Sequence, residues 1–165
     1  GEIGLDFYYD NSPREEQRIV FKEQLDLAKE LNLPVVIHTR DASQETFEIL
    51  KAWVQDGATK VLMHCYSGSV EMAKEYIKLG CYISLGGPVT FKKARVPKEV
   101  AKEIPLDKLL LETDCPYLTP EPYRGKRNEP KYVQHTAATI AELRGITIEE
   151  LAQATSNNAK KFFGI

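Results

Sequence analysis

No apolar run in the 165 residues approaches the ~20 that a membrane-spanning helix requires, so no membrane is expected as partner. Cysteine is scarce: Cys65, Cys81 and Cys115 are odd in number and show no CxxC spacing, which excludes a disulfide framework and points to reduced thiols in the cytoplasm. Charge of one sign is lacking too. Twenty-two basic against 24 acidic residues leave a formal charge of -2, which excludes a surface that holds nucleic acid along its whole face, so any such contact is local. No signal peptide opens the chain. It begins on Gly1-Glu2-Ile3-Gly4, which reads as the inside of a strand, and an N-terminal truncation is expected. Neither GxGxxG nor GxxxxGK[ST] occurs, which removes the glycine-rich phosphate turn of a doubly wound nucleotide-binding sheet.

What is present is a chain long enough for one domain, residues 1–165, whose 42% hydrophobic content can bury a core. Short apolar runs alternate with amphipathic segments, without repeat or linker. Glu2 to Phe7 reads as a strand, and Ser12-Pro13-Arg14-Glu15 as a capping box that starts a helix. Phe21, Leu25, Ala28 and Leu31 carry that helix to Asn32 and Pro34, and Val35 to His38 resumes as a strand. Phe47, Leu50 and Val54 mark the next helix, Lys60 to His64 a strand, and Ala73, Tyr76 and Ile77 a helix closed by Gly80. Cys81 to Leu85 is a strand, Gly86-Gly87-Pro88 a turn into a lysine-containing stretch, and Lys108 to Thr113 the fifth strand. Val133, Ala137, Ile140 and Ala141 mark a long helix, and two short helical segments near Glu149 and Lys161 finish the chain.

Strands that are nearly continuous Val, Ile and Leu are buried on both faces, as in a parallel sheet covered by helices. The fold class is therefore α/β. A TIM (β/α) barrel places its chemistry at the C-terminal ends of several strands, and His38, His64 and Asp114 each close an apolar run. The expected architecture is a partial barrel of about five parallel strands with flanking helices, since five strands cannot close an eight-stranded barrel.

Two of the three histidines close successive strands, so His38 and His64 would face one mouth as neutral imidazoles suited to a transition-metal ion. His135, on the helix after the last strand, reads as a surface or packing residue. Glu2 shares its parity with Gly4 and Asp6 and would face the lumen. Asp114 ends an apolar run, where a charge needs a metal or hydrogen bonds. Glu112, on the same parity, is a candidate to orient a ligand, as is Arg40 two residues beyond His38; for Glu112 an exposed strand position is an equal alternative. Glu2, His38, His64 and Asp114 would hold divalent ions, and two ions ~4 Å apart clamp the attacking and leaving oxygens of a phosphodiester. Beyond the last strand, Arg124, Lys126 and Arg127 crowd into four residues and suit phosphate. Tyr117 and Tyr123 flank this loop as stacking or packing rings, whereas Lys92, Lys93 and Arg95 read as a solvated cluster.

Gly1-Glu2-Ile3-Gly4-Leu5-Asp6, Ile37 to Ala42, Met63 to Gly68, Glu112 to Leu118 and Arg124 to Pro130 resemble, in order, five signatures of the TatD family of metal-dependent deoxyribonucleases among the amidohydrolase-like barrels. The resemblance implies a TIM barrel, two divalent ions (Mg, Mn or Zn) per complete site, and DNA as substrate. It also implies that Glu2 bridges the two ions, that His38 and His64 bind one, and that Asp114 binds the other and serves as general base. The family opens with an HxH pair, and none occurs in these residues, so four of six ligands are present and the first three strand and helix units are expected to be missing. The chain by itself would then be a weak or inactive nuclease. Hydrolysis of an amide, ester or lactone is an alternative, because the same ions polarise a carbonyl, and a non-catalytic phosphate or nucleic-acid binding fragment is another. No stable protein partner is implied.

Overall fold

In the computed structural model, which describes residues 2–57 and 60–165, the apolar runs form five strands: β1 (Glu2–Asp6), β2 (Val35–Arg40), β3 (Val61–Met63), β4 (Tyr82–Leu85) and β5 (Leu109–Leu111). Gly1, where the strand-like opening begins, lies outside the described residues. All pairings are parallel and the order is β1-β2-β3-β4-β5. An order that never reverses has no switch point, which sets this sheet apart from a doubly wound one and makes it an open arc of a barrel.

One face of the sheet carries Leu5, Ile37, Met63, Ile83 and Leu109, all without measurable exposure. They pack with Phe21 and Leu25 of α1 (Arg14–Glu30), Leu50 and Trp53 of α2 (Ser43–Gln55) and Tyr76 of α3 (Val70–Lys78). Val100 of α4 (Arg95–Glu103) and Ile140 of α5 (Val133–Arg144) complete that core. Each such side chain contributes roughly 1.5–3 kcal/mol. The opposite face is apolar only at its lower end, where Val36, Leu62, Tyr82 and Leu110 meet Ala159 and Phe162 of α6 (Ile148–Phe163). Because side chains two residues apart share a face, this floor directs His38 and Arg40 of β2, His64 after β3 and Ser84 of β4 to the same upper tier.

Gly4 fixes how closely β1 meets β2. Its φ is +150°, and a Cβ there would lie 1.9 Å from the His38 carbonyl oxygen, so no side chain fits beside the histidine.

Four expectations are corrected. Pro13, and not Ser12, stands at the start of α1 and no side chain caps it, because Ser12 falls one residue outside. Its work passes to Gln17, whose amide donates to the Asp6 and Ser12 carbonyls (3.0 and 2.9 Å) and accepts from the Asp6 N–H (2.9 Å). The lysine-containing stretch holds α4, a short charged helix that buries only Val100 and Ala101. The two short segments at the end are one helix, α6. A complete Thr147–Glu150 capping box starts it, and its buried stripe of Leu151, Thr155, Asn158 and Phe162 is interrupted by polar residues that hide its period. The expected third and fifth strands are also shorter at both ends, and beyond their C-terminal ends Cys65 and Asp114 take left-handed φ of 43° and 55° and turn the chain away.

Candidate active site

His38, the fourth residue of β2, stands between two carboxylates: Nδ1 lies 3.1 Å from Glu2 Oε1 and Nε2 lies 3.0 Å from Asp6 Oδ2. His64, the first residue past β3, has Nδ1 2.9 Å from Glu112 Oε2, while its Nε2 faces Glu2 Oε2 at 3.7 Å and Asp114 Oδ1 at 3.5 Å. Glu2, His38, His64 and Asp114 thus line one cavity of about 410 Å³. Among the described residues, Arg40 is the only lysine or arginine on its walls.

The charge balance of the cavity is unusual. Burial pushes the Asp114 carboxyl up, and the nearby Glu112 and Glu2 carboxylates push the same way, against the pull of His64 and His38. Burial also works against Glu112, yet the His64 imidazole, the Ser84 hydroxyl and the Cys65 N–H outweigh it and hold that carboxyl below its ordinary value. His64 is correspondingly raised: burial opposes its charge, but Glu112, Glu2 and Asp114 favour it. Glu112 Oε2 takes both His64 Nδ1 and the Ser84 hydroxyl, and Glu112 Oε1 is buried with no hydrogen-bond partner among the described residues.

Imidazole nitrogens with carboxylate oxygens are a donor set suited to zinc, manganese or a similar divalent ion. Crowded carboxylates and an orphaned buried oxygen fit a missing positive charge in the same place. The side chains nevertheless lie close to one another, with Glu2 3.1 Å from His38 and 3.7 Å from His64, and Asp114 3.5 Å from His64. Among the described residues no three or more His, Cys, Asp or Glu side chains have the arrangement of a closed metal cluster. An ion would have to replace the pairings of His38 and His64 with Glu2.

The remaining predicted site residues are placed unevenly. Glu112 is largely buried and beside His64, as an orienting group would be, and is not an exposed strand residue. Arg40 lines the cavity, but its guanidinium lies over the Tyr8 and Tyr9 rings, at 3.8 and 4.8 Å, and not beside a histidine or a carboxylate of the centre. Arg124, Lys126 and Arg127 do not line the cavity: Arg124 sits 4.0 Å over Phe91 and Lys126 5.7 Å from Tyr123. Tyr123 stacks on Tyr132 at 4.6 Å with His135 beside it, so this ring and this histidine pack, while Tyr117 is 70% exposed. Arg95 pairs with Glu99 on the surface. Cys65, Cys81 and Cys115 are all free thiols.

Three contributors were not singled out from sequence. Asp6 orients His38, and its parity with Glu2 was the available signal. Ser84 binds Glu112, and nothing in an apolar strand marks it. Asn128, 2% exposed, donates to the Thr113 and Tyr117 carbonyls at 2.6 Å each and so ties the basic loop to the segment that carries Asp114.

A parallel sheet in strict sequential order, with histidine and acidic side chains gathered at the C-terminal ends of its strands, defines a TIM-barrel protein of the α/β class. The family profile described as TatD related DNase matches residues 1–164, and the chain belongs to that family. It is 56% identical over 167 aligned positions to the uncharacterized metal-dependent hydrolase YabD of Bacillus subtilis strain 168, with all of this chain and 64% of that protein covered. It is 43% identical over 165 positions to the uncharacterized metal-dependent hydrolase YcfH of Escherichia coli K12, covering 62% of it. Among solved structures, the TatD homologue YJJV of Escherichia coli K12 superposes with a TM-score of 0.91 at 35% identity, over all of this chain and 63% of that one. The chain therefore spans just under two thirds of the length of the relatives it matches.

Proposed function

We propose that this chain carries the greater part of the active site of a divalent-metal-dependent phosphodiesterase acting on DNA. The observation that supports this best is the convergence of His38, His64, Glu2 and Asp114 on a single cavity where, among the described residues, Arg40 is the one lysine or arginine on the walls. On this reading Glu2, His38, His64 and Asp114 hold Mg, Mn or Zn, with two ions per complete site. Such ions lower the pKa of a water and offset charge on the phosphoryl oxygens. Glu112 and Asp6 orient the two imidazoles through their second ring nitrogens. Asp114, on the turn past β5, takes the proton of the attacking water. Arg124, Lys126 and Arg127 hold substrate phosphates outside the cavity, on a loop that Asn128 anchors beside Asp114. The free thiols agree with action in the cytoplasm, and no helix among the described residues is long and apolar enough to cross a membrane.

The test is hydrolysis of short DNA by the full-length protein loaded with Mg, Mn or Zn, against the same protein treated with chelator. Cleavage that needs the metal and is lost in Asp114→Asn is expected. Cleavage that survives the chelator, or a metal-loaded protein that hydrolyses esters or lactones but no DNA, would overturn the assignment.

A further inference from the structure

The turn that follows β1 carries two neighbouring aromatic rings that the fold leaves in water. Tyr8 and Tyr9 are 57% and 61% exposed and meet edge to face, with centroids 4.9 Å apart. Exposed aromatics normally cost something in solubility, so a pair held rigidly in place calls for a use. The turn that carries them is held at both ends. Both backbone N–H groups donate to Asp6 Oδ1, at 3.0 and 2.9 Å, while Asp6 Oδ2 orients His38. Arg14 binds the Asp10 carboxylate through two nitrogens at 2.9 and 2.8 Å and reaches the Phe7 carbonyl at 3.2 Å, closing the turn from the other end. Arg40 bridges the pair to the cavity, since its guanidinium lies over both rings and the residue also lines the cavity wall.

We infer that Tyr8, Tyr9 and Arg40 form a nucleotide subsite at the rim of the active-site cavity, in which Arg40 grips a substrate phosphate and the tyrosine rings stack on the adjoining nucleobase. The inference rests on the phosphodiesterase reading and adds to it the part of the substrate that is not phosphate. Every base offers a π-face, so stacking accepts any sequence, and a guanidinium fork suits a phosphate as no other side chain does. Asp6 gives the arrangement its alignment: one carboxylate fixes both the imidazole at the reacting end and the rings at the base-binding end. Tyr8 and Tyr9 therefore touch the substrate directly and act on its binding. The exposed side chains contribute nothing to the core, so their removal leaves the fold intact.

The experiment measures, by calorimetry in EDTA so that no cleavage occurs, the binding of single-stranded tetrathymidylate and of an abasic tetramer with the same phosphates. The wild type should favour the thymidylate by about tenfold, the size of one good base-on-ring contact. Tyr8→Ala and Tyr9→Ala should each erase most of that preference, while Tyr8→Phe and Tyr9→Phe keep it. Arg40→Ala should weaken both ligands, with Arg40→Lys recovering part of the loss. A wild type without base preference, alanine variants that retain it, or no binding of either tetramer would overturn the subsite. Hydrolysis of the abasic tetramer by the metal-loaded protein reports on the phosphodiesterase reading alone. A base-blind enzyme that cleaves it sinks the subsite and spares that reading. A base preference in binding without hydrolysis of either tetramer does the reverse.

Discussion

Glu112 Oε2 lies 2.9 Å from His64 Nδ1, which leaves His64 Nε2 as the nitrogen that faces the cavity and the Glu2 and Asp114 carboxylates. A carboxylate on the far nitrogen fixes the ring and makes the near nitrogen a better donor. Glu112→Gln keeps the shape and loses the charge. Divalent-metal affinity should fall roughly 10- to 100-fold in a chelator competition, with the circular dichroism spectrum unchanged. Unaltered affinity would show that Glu112 serves only the packing around Ser84.

Gly4→Ala should unfold or severely destabilise the protein. The added Cβ meets the His38 carbonyl at 1.9 Å in a backbone conformation that only glycine adopts comfortably. A loss of at least about 2 kcal/mol is expected from chemical denaturation, because strain and clash add. A variant as stable as the wild type would mean that β1 and β2 can move apart.

Phe162→Ala probes the lower tier of the sheet. Phe162 is 1% exposed and meets Tyr82 edge to face at 5.5 Å, where α6 covers the floor under the histidines. Destabilisation by about 3–5 kcal/mol is expected. Little change on thermal or urea unfolding would show that α6 does not seal this face.

Burial pushes the Cys81 thiol up to about 12, with Lys108 pulling weakly the other way. Thiolate, the reactive form, grows with pH, so in the folded state Cys81 stays in the unreactive thiol form at pH 8. Alkylation of Cys81, followed by peptide mass mapping, should stay slow up to strongly alkaline pH and become fast at pH 8 once urea unfolds the chain. Rapid labelling of the folded protein at pH 8 would contradict its place in the core.

Much of this was legible in the sequence, for reasons that particular residues make clear. His38 and His64 stand at or just past the ends of uninterrupted apolar runs, where an imidazole has no business in a helix-covered core, and the sheet directs both to one cavity. Asp6 was visible only as a matter of parity. Its contacts depend on the chain folding back through Tyr8 and Tyr9, which no periodicity encodes. Ser84 is a small hydroxyl inside a buried strand, indistinguishable in sequence from a packing residue until Glu112 is seen beside it. The basic loop was readable as a loop but not in its aim. Nine residues, including Pro116, Pro120 and Pro122, separate Asp114 from Arg124 and carry that side chain to Phe91, and Asn128 brings the loop back to the site.

On the proposed reading, Glu2, His38, His64 and Asp114 hold divalent metal while the basic loop does not. Metal analysis after dialysis against Mn or Zn tests it most directly, on the wild type, His64→Ala and Arg127→Ala. Bound metal should be retained by the wild type and by Arg127→Ala and lost or sharply weakened in His64→Ala. Equal metal content in all three, or none in the wild type, would contradict the account.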